Sequence, residues 1–233
     1  MKPPLLLLCG LLCDETVWAD IPARLAAVAD VSIVPFRGFD SLAAMAEHVL
    51  GVAPPRFALA GHSMGGRVAL EVFRRASERV SAIALLNTGV QPVRHGEAQS
   101  RGWLLKSAYE RGMHALAGEW LPPMLGKNYL RKRDMLQRLG VMIENWTADD
   151  YAGQVKAMLQ RPEAWSILSH IDVPTLLLSG SEDAWAPLSQ LEMMHRHVPH
   201  ATLFEVHDAG HMAPIERPDA VALALREWLG QSM

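Results

Sequence analysis

The chain has 233 residues, 50% of them apolar and 20% charged, with 17 glycines and 15 prolines. That is the make-up of an ordinary globular protein, long enough for one sizeable α/β domain. A formal net charge of −3 gives no basic field to draw in nucleic acid or an anionic membrane, so neither is expected as a partner.

The chain opens on Met1-Lys2-Pro3-Pro4 and an apolar run, Leu5 to Cys9, too short for the core of a signal peptide. No apolar stretch approaches the length of a membrane span, so a cytoplasmic location is the expectation. Pro4 to Cys9 reads as a buried strand closed by Gly10, Thr16 to Val28 as a helix, and Val31 to Pro35 as a second strand. Ser41 caps a helix reaching Leu50, Arg56 to Ala60 is a strand ended by Gly61, Met64 to Ala76 is helical, and Val80 to Leu86 is a fourth strand. Strands without polar alternation are buried on both faces, as in a parallel sheet sandwiched by helices.

From about Val90 to Trp165 no strand run appears, and helical stretches are broken by Pro122-Pro123 and by scattered glycines. The alternation then returns with a strand at Thr175 to Ser179, a helix at Pro187 to His197, a strand at Ala201 to Val206 and a closing helix at Pro214 to Leu229. The expected architecture is a mostly parallel sheet of about six strands flanked by helices. Residues 1–90 and 166–233 would form its core, and 91–165 a helical cap insertion, a separate helical domain being the alternative.

Gly61-His62-Ser63-Met64-Gly65 matches G-x-S-x-G, a pattern expected by chance about 0.1 times in such a chain. Its place between a strand and a helix gives it meaning. A serine on that sharp turn is pushed out above the sheet, and a Cβ at Gly61 or Gly65 would collide with the turn. The competing reading is a Gly-rich turn with Ser63 as a plain helix N-cap. An alcohol needs a base to become a nucleophile. His211 lies in Asp208-Ala209-Gly210-His211-Met212-Ala213-Pro214, the loop after the last strand, at the carboxyl edge where open α/β sheets place ligands. His48, His114, His195 and His200 have no such placement, and His62 is expected to pack rather than ionise.

The imidazole needs a third group to fix its tautomer. Asp183, in the loop after the strand at Thr175, and Asp208, in the histidine loop itself, are both candidates. Asp183 is preferred because it can reach the far side of the ring from another strand end. Two backbone donors should hold an oxyanion: the Met64 amide after the nucleophile, and Leu11 in the loop after the first strand. Metal catalysis is not favoured: His195-x-His197 and His207-x-x-x-His211 are the nearest approaches to ligand spacing, and Gly210 disrupts the helix that the second would need. No cofactor is expected. Cys9 and Cys13 are too close for a useful disulfide, and neither is expected to be a nucleophile.

Ala60-Gly61-His62-Ser63-Met64-Gly65-Gly66-Arg67-Val68-Ala69-Leu70, with Glu78-Arg79-Val80, Gly180-x-x-Asp183 and Gly210-His211-x-x-x-x-Glu216-x-Pro218, resembles the α/β-hydrolase superfamily over essentially the whole chain. Its small bacterial esterase-like members are the nearest in character: carboxylesterases, acyl-carrier-protein methyl ester esterases and the menaquinone-pathway synthase. Two departures stand out. Cys9-Gly10 replaces the His-Gly that often follows the first strand, and the antiparallel hairpin that opens many members has no room before Pro4, so a trimmed sheet is expected.

The resemblance implies a Ser63–Asp183–His211 triad transferring an acyl group to water from a small carboxylic ester or thioester. Carbon–carbon hydrolysis and a synthase-like elimination use the same parts, and a non-catalytic receptor on the same fold is the alternative of another class. The resemblance also implies that the insertion caps the nucleophile. It holds four of the seven tryptophans (Trp103, Trp120, Trp146, Trp165) and five of the twelve methionines, which suggests either an apolar pocket lining or plain packing. It carries eleven Lys/Arg against eight Asp/Glu. Its basic run Arg131-Lys132-Arg133 is read first as a solvated face and second as a dock for an acidic carrier protein.

Overall fold

The computed structural model of the protein describes residues 2–231. Six strands, β1 (Pro4–Leu8), β2 (Asp30–Val34), β3 (Phe57–His62), β4 (Val80–Leu86), β5 (Thr175–Gly180) and β6 (Thr202–Val206), form one sheet in the order β2-β1-β3-β4-β5-β6. Every neighbouring pair is parallel. The interior strands β3 and β5 are buried along their whole length, while the edge strands β2 and β6 are partly exposed. Burial thus follows position in the sheet, and the uninterrupted apolar runs of the sequence mark the strands covered on both faces.

The helices packed on this sheet include α1 (Ile21–Leu25), α2 (Leu42–Val52), α3 (Met64–Ala76) and α8 (Leu188–His195). Two expected helices are shorter than their apolar pattern suggests. The Thr16 to Val28 segment divides into a 3₁₀ turn, Glu15–Trp18, and α1, with Pro22 in the first turn of the second piece. The closing helix divides at Arg217 into α9 (Ala213–Glu216) and α10 (Pro218–Gly230). In both cases a proline, lacking an N–H, starts a new helix instead of continuing an old one.

Between β4 and β5 the only regular elements among the described residues are helical: α4 (Glu97–Trp120), a 3₁₀ turn at Pro122–Met124, α5 (Arg133–Glu144), α6 (Ala148–Leu159) and α7 (Trp165–Leu168). Gly112, at φ 82°, breaks α4 into two arms. Leu116, Leu139, Met142, Ile143 and Tyr151 are all buried, so the insertion joins the main core. No described helix is long and apolar enough to cross a membrane.

The strand order reverses direction between β1 and β3, the two strands that grow outward in opposite senses from the middle of the sheet. Loops leaving the carboxyl ends of such a pair diverge to opposite faces and open a crevice, the usual ligand position in sheets of this kind. Leu11 follows β1 and Ser63 follows β3, so the two flank that crevice.

Candidate active site

Ser63 sits at φ 55°, ψ −116°, a backbone state that a non-glycine residue rarely adopts. The turn is held there from both sides. The Ser63 amide donates to the Leu86 carbonyl of β4 at 2.9 Å, and a Cβ on Gly65 would lie 2.3 Å from the Leu8 carbonyl oxygen of β1. Helix α3 therefore starts pressed against the sheet, which leaves room only for glycine at Gly65 and, likewise, at Gly61. The Ser63 side chain makes no capping bond to α3. Its Oγ lies 2.8 Å from His211 Nε2 instead. A plain N-cap does not describe it.

His211 is buried, five residues beyond the end of β6, and its loop is fixed by its own backbone. The His211 amide donates to the Met124 carbonyl at 2.8 Å, and its carbonyl accepts from His62 Nε2 at 2.8 Å. That bond commits the His62 proton to Nε2. Burial and the neighbouring His211 charge push the His62 pKa down to about 3, so His62 is neutral and packs as a spacer.

Nδ1 of His211 faces Asp183, 3.0 Å from Oδ1 and 2.9 Å from Oδ2. The Asp183 side chain is completely buried and also accepts from the Trp185 amide (2.8 Å), the Ala186 amide (3.0 Å) and Asn87 Nδ2 (2.9 Å). Burial alone would raise its pKa. The His211 charge and these donors more than offset that and hold the carboxyl well below the usual carboxylate range. Asp208, the other candidate, points away: it is exposed and its carboxylate pairs with Arg217 at 3.4 Å.

The loop after β1 lies against the nucleophile, for a Cβ on Gly10 would come within 3.2 Å of Ser63 Cβ. Gln154 on α6 sets its shape, accepting the Leu12 amide at 2.8 Å while donating to the Phe36 carbonyl at 2.9 Å. The Leu11 and Met64 amides have no hydrogen-bond partner among the described residues, and both residues line the cavity above Ser63. Cys9 and Cys13 are buried, and burial raises both thiol pKa values well above normal, which leaves them as apolar packing groups.

That cavity has a volume of about 400 Å³. Leu104, Trp120, Met124 and Met158 from the insertion line it, as does Trp185 after β5. Of the four insertion tryptophans only Trp120 reaches it. Trp103 is exposed, Trp146 is buried beneath Arg37, and Trp165 packs on His197. Arg131, Lys132 and Arg133 line a different surface cavity that shares no residue with this one. His207 is exposed and faces Glu205, separated in environment from buried His211.

Three contributors were given no role from the sequence, though Glu216 falls within the stretch Gly210-His211-x-x-x-x-Glu216-x-Pro218. Asn87, directly after β4 at φ 49°, tethers Asp183 and also donates to the Gly210 carbonyl at 3.3 Å. An asparagine at a strand's carboxyl end, a residue type that tolerates positive φ, was the available signal. Gln154 lies 142 residues from its Leu12 partner, and nothing local announces it. Glu216 is buried at the base of the histidine loop, where Oε2 accepts the Gly210 amide at 2.8 Å and the Gly126 amide at 3.1 Å. It stitches that loop to the insertion, with burial pushing its pKa up to about 7 against those donors.

Known proteins share this arrangement of chain. A thermophilic esterase from Thermogutta terrifontis, solved with malate bound, superposes with a TM-score of 0.89 at 26% identity, covering 100% of this chain and 91% of its own. The enol-lactonase from Burkholderia xenovorans LB400 gives the same TM-score at 25% identity, covering 99% and 92%. Among curated sequences, 3-oxoadipate enol-lactonase 2 of Acinetobacter baylyi is 25% identical over 173 residues, which is 71% of this chain but only 61% of that relative's length. The sequence profile of the alpha/beta hydrolase family matches residues 5–225, nearly the whole chain, and the chain therefore belongs to the alpha/beta hydrolase family.

Proposed function

We propose that the protein is a serine hydrolase that transfers the acyl group of a small carboxylic ester, lactones and thioesters included, to water. The observation that carries this reading is the unbroken line from Ser63 Oγ to His211 Nε2 (2.8 Å) and from His211 Nδ1 to Asp183 (2.9 Å). Membership of the alpha/beta hydrolase family and likeness to an esterase and two enol-lactonases support it.

In this mechanism Ser63 Oγ forms a bond to the ester carbonyl carbon while its proton passes to His211 Nε2. Asp183 keeps the other imidazole proton on Nδ1 and balances the imidazolium that results. The carbonyl oxygen, now an oxyanion, takes the free Met64 and Leu11 amides, which need no reorganisation to receive it. Collapse breaks the bond to the leaving oxygen, which departs with the His211 proton. Water, deprotonated by His211, then attacks the acyl-enzyme and releases the acid and free Ser63. The neutrality of His62 matters here, since a second cation beside His211 would oppose imidazolium formation. The insertion acts as the cap, supplying the apolar wall of the cavity and, through Met124, one anchor of the histidine loop.

A fluorophosphonate probe should label the protein at Ser63 and nowhere else. Ser63→Ala should abolish labelling and lower turnover of p-nitrophenyl esters by about 10³-fold or more, since a triad acts as a unit. Normal turnover in that variant rules the mechanism out.

A further inference from the structure

The loop after β1 holds a residue in a costly conformation. The Cys13 amide donates to the Gly10 carbonyl at 3.2 Å, which closes Gly10-Leu11-Leu12-Cys13 into a β-turn. Of the two central residues only Leu12 is at positive φ, 58°, and it is completely buried. Positive φ at the third position alone is the type II turn, which ordinarily takes glycine there. A leucine is held in it at a cost, because its Cβ crowds the neighbouring carbonyl oxygen. Reversing the Leu11–Leu12 peptide would relieve that cost and give the commoner type I turn. Some partner must keep the peptide as it is.

Gln154 does so from the insertion. Its Oε1 accepts the Leu12 amide at 2.8 Å, and its Nε2 donates to the Phe36 carbonyl at 2.9 Å. A carbonyl can only accept, so Phe36 fixes which end of the Gln154 amide faces Leu12. The reversed turn would bring the Leu11 carbonyl round to Oε1, acceptor against acceptor, where Gln154 is fully buried. The helix behind Gln154 is itself seated firmly. Asp150 accepts the Gly38 amide at 3.1 Å and pairs with Arg37 at 3.1 Å, and Lys156 pairs with Asp40 at 2.5 Å. A Cβ on Gly153 would lie 2.9 Å from the Phe39 carbonyl oxygen. Helix α6 thus rests on the loop after β2, and Gln154 carries that support across to the loop after β1.

We propose that Gln154 is a positioning residue of the oxyanion hole: by locking this turn it presents the Leu11 amide to the cavity, so the seating of α6 completes the site. This deepens the acyl-transfer reading of Ser63 and rests on it for the role of Leu11. Leu11 is the residue whose ψ changes when the turn reverses. It stands between the close approach of Gly10 to Ser63 and the bond from Leu12 to Gln154. Met64, the other donor, begins α3 and is placed by the turn after β3, so only the Leu11 half of the hole depends on a side chain. Gln154 does not line the cavity. Opening the lock should therefore spare binding of the ground state and weaken the oxyanion that forms in the transition state.

The test sets a trifluoromethyl ketone, which adds reversibly to a serine and places an oxyanion in the hole, against a p-nitrophenyl ester of the same chain length. The inhibition constant Ki of the ketone reads the transition state, and KM of the ester reads the ground state. Gln154→Met, similar in length but without the acceptor, should raise Ki about tenfold or more and leave KM within about twofold. Full loss of one oxyanion donor would cost about 10²–10³-fold. Neither constant depends on how much of the protein is folded, so a loss of active protein cancels. Gln154→Asn, polar but one methylene shorter, should move Ki the same way and reads the effect should the methionine variant not fold. Gln154→Glu, which keeps an oxygen for the Leu12 amide, should show the smaller rise. Ki unchanged in the variants that fold, or Ki and KM rising together, overturns the proposal. A crystal structure of Gln154→Met reads the turn directly. Leu12 at negative φ with its peptide reversed supports the proposal even if the wild type neither binds the ketone nor labels at Ser63, an outcome that sinks the hydrolase reading alone. Leu12 still near φ 58°, in a protein that hydrolyses esters through Ser63, sinks the role of Gln154 alone.

Discussion

At the carboxyl edge of the sheet, Ser63, Asp183 and His211 are placed by backbone: a positive φ, a glycine contact that admits no Cβ, and amides bonded across neighbouring strands. Across the cavity, the insertion and the loop after β4 shape their wall with the ends of long side chains, Trp120, Met158, Arg94 and Arg161 among them. A pole built from backbone changes only when the fold changes. A pole built from side chains can be redrawn by one substitution. Chemistry and selectivity in this molecule should therefore separate, and each expectation below probes where that separation holds.

The largest effect is expected at the sheet edge. Asp183→Asn should leave the fold intact and lower turnover by roughly 10²–10⁴-fold. Its new amide oxygen can still accept from Trp185 and Ala186, while its NH₂ would meet Asn87 Nδ2 and His211 Nδ1. That favours the imidazole tautomer with the proton on Nε2, which cannot accept from Ser63. Asp208→Asn, at the exposed ion pair with Arg217, should change turnover by no more than about twofold. Steady-state kinetics of the two variants decide the matter, and reversed penalties would return the role to Asp208.

The same contrast explains what the sequence made legible. Ser63, Asp183 and His211 each follow a strand within a few residues, so local punctuation by glycine and an apolar run was enough to bring them forward as candidates. Strand parallelism followed from the uninterrupted apolar runs, whereas the order of the strands came only with the structure. Asn87 and Gln154 act through partners 96 and 142 residues away, distances over which no local pattern speaks, while Glu216 stands in a quoted local motif yet also reaches Gly126, 90 residues away. Arg67 stands in the stretch after Ser63 that resembles the family, but its burial, at 6% exposure, shows only in the structure. The insertion tryptophans show the limit most clearly. Trp103, Trp120 and Trp146 share a composition signal yet are respectively exposed, cavity-lining and buried in the core.

A smaller effect is expected at the seam between the two regions. Glu216 ties the Gly210 and Gly126 amides together, and its pKa in the folded protein is raised from 4.5 to about 7. Between those values the folded state holds a proton that the unfolded state has released, so stability falls as pH rises through the window. The shift corresponds to about 3 kcal/mol, fully lost above about pH 7. Glu216→Gln keeps an oxygen for the two amides and cannot ionise. Its stability relative to wild type in urea should therefore improve by about 2 kcal/mol between about pH 5 and about pH 8. A difference that stays constant with pH would mean that Glu216 titrates normally and that the seam carries no such strain.

The finest distinction lies within the insertion itself. Trp120 is 6% exposed and lines the cavity, so its ring occupies space that an acyl chain would otherwise fill. Trp103, on the other arm of α4, is 59% exposed and does not line the cavity. Trp120→Leu should enlarge the apolar wall and move the preferred p-nitrophenyl ester to a longer chain. The ratio of long to short substrate should rise by about tenfold, the value of one or two methylenes in an apolar pocket. Trp103→Leu should leave that ratio where it was and change stability by less than about 0.5 kcal/mol, as for a surface side chain without partners to lose. Both changes remove the same indole, one from each arm of α4, so the contrast between them is the burial of each ring and its place at the cavity. If Trp120→Leu lowers the melting temperature while chain-length preference stays fixed, the ring is packing for the insertion and selectivity resides elsewhere in the wall. Trp185, which reaches the same cavity from the sheet side, would then be the next residue to shorten.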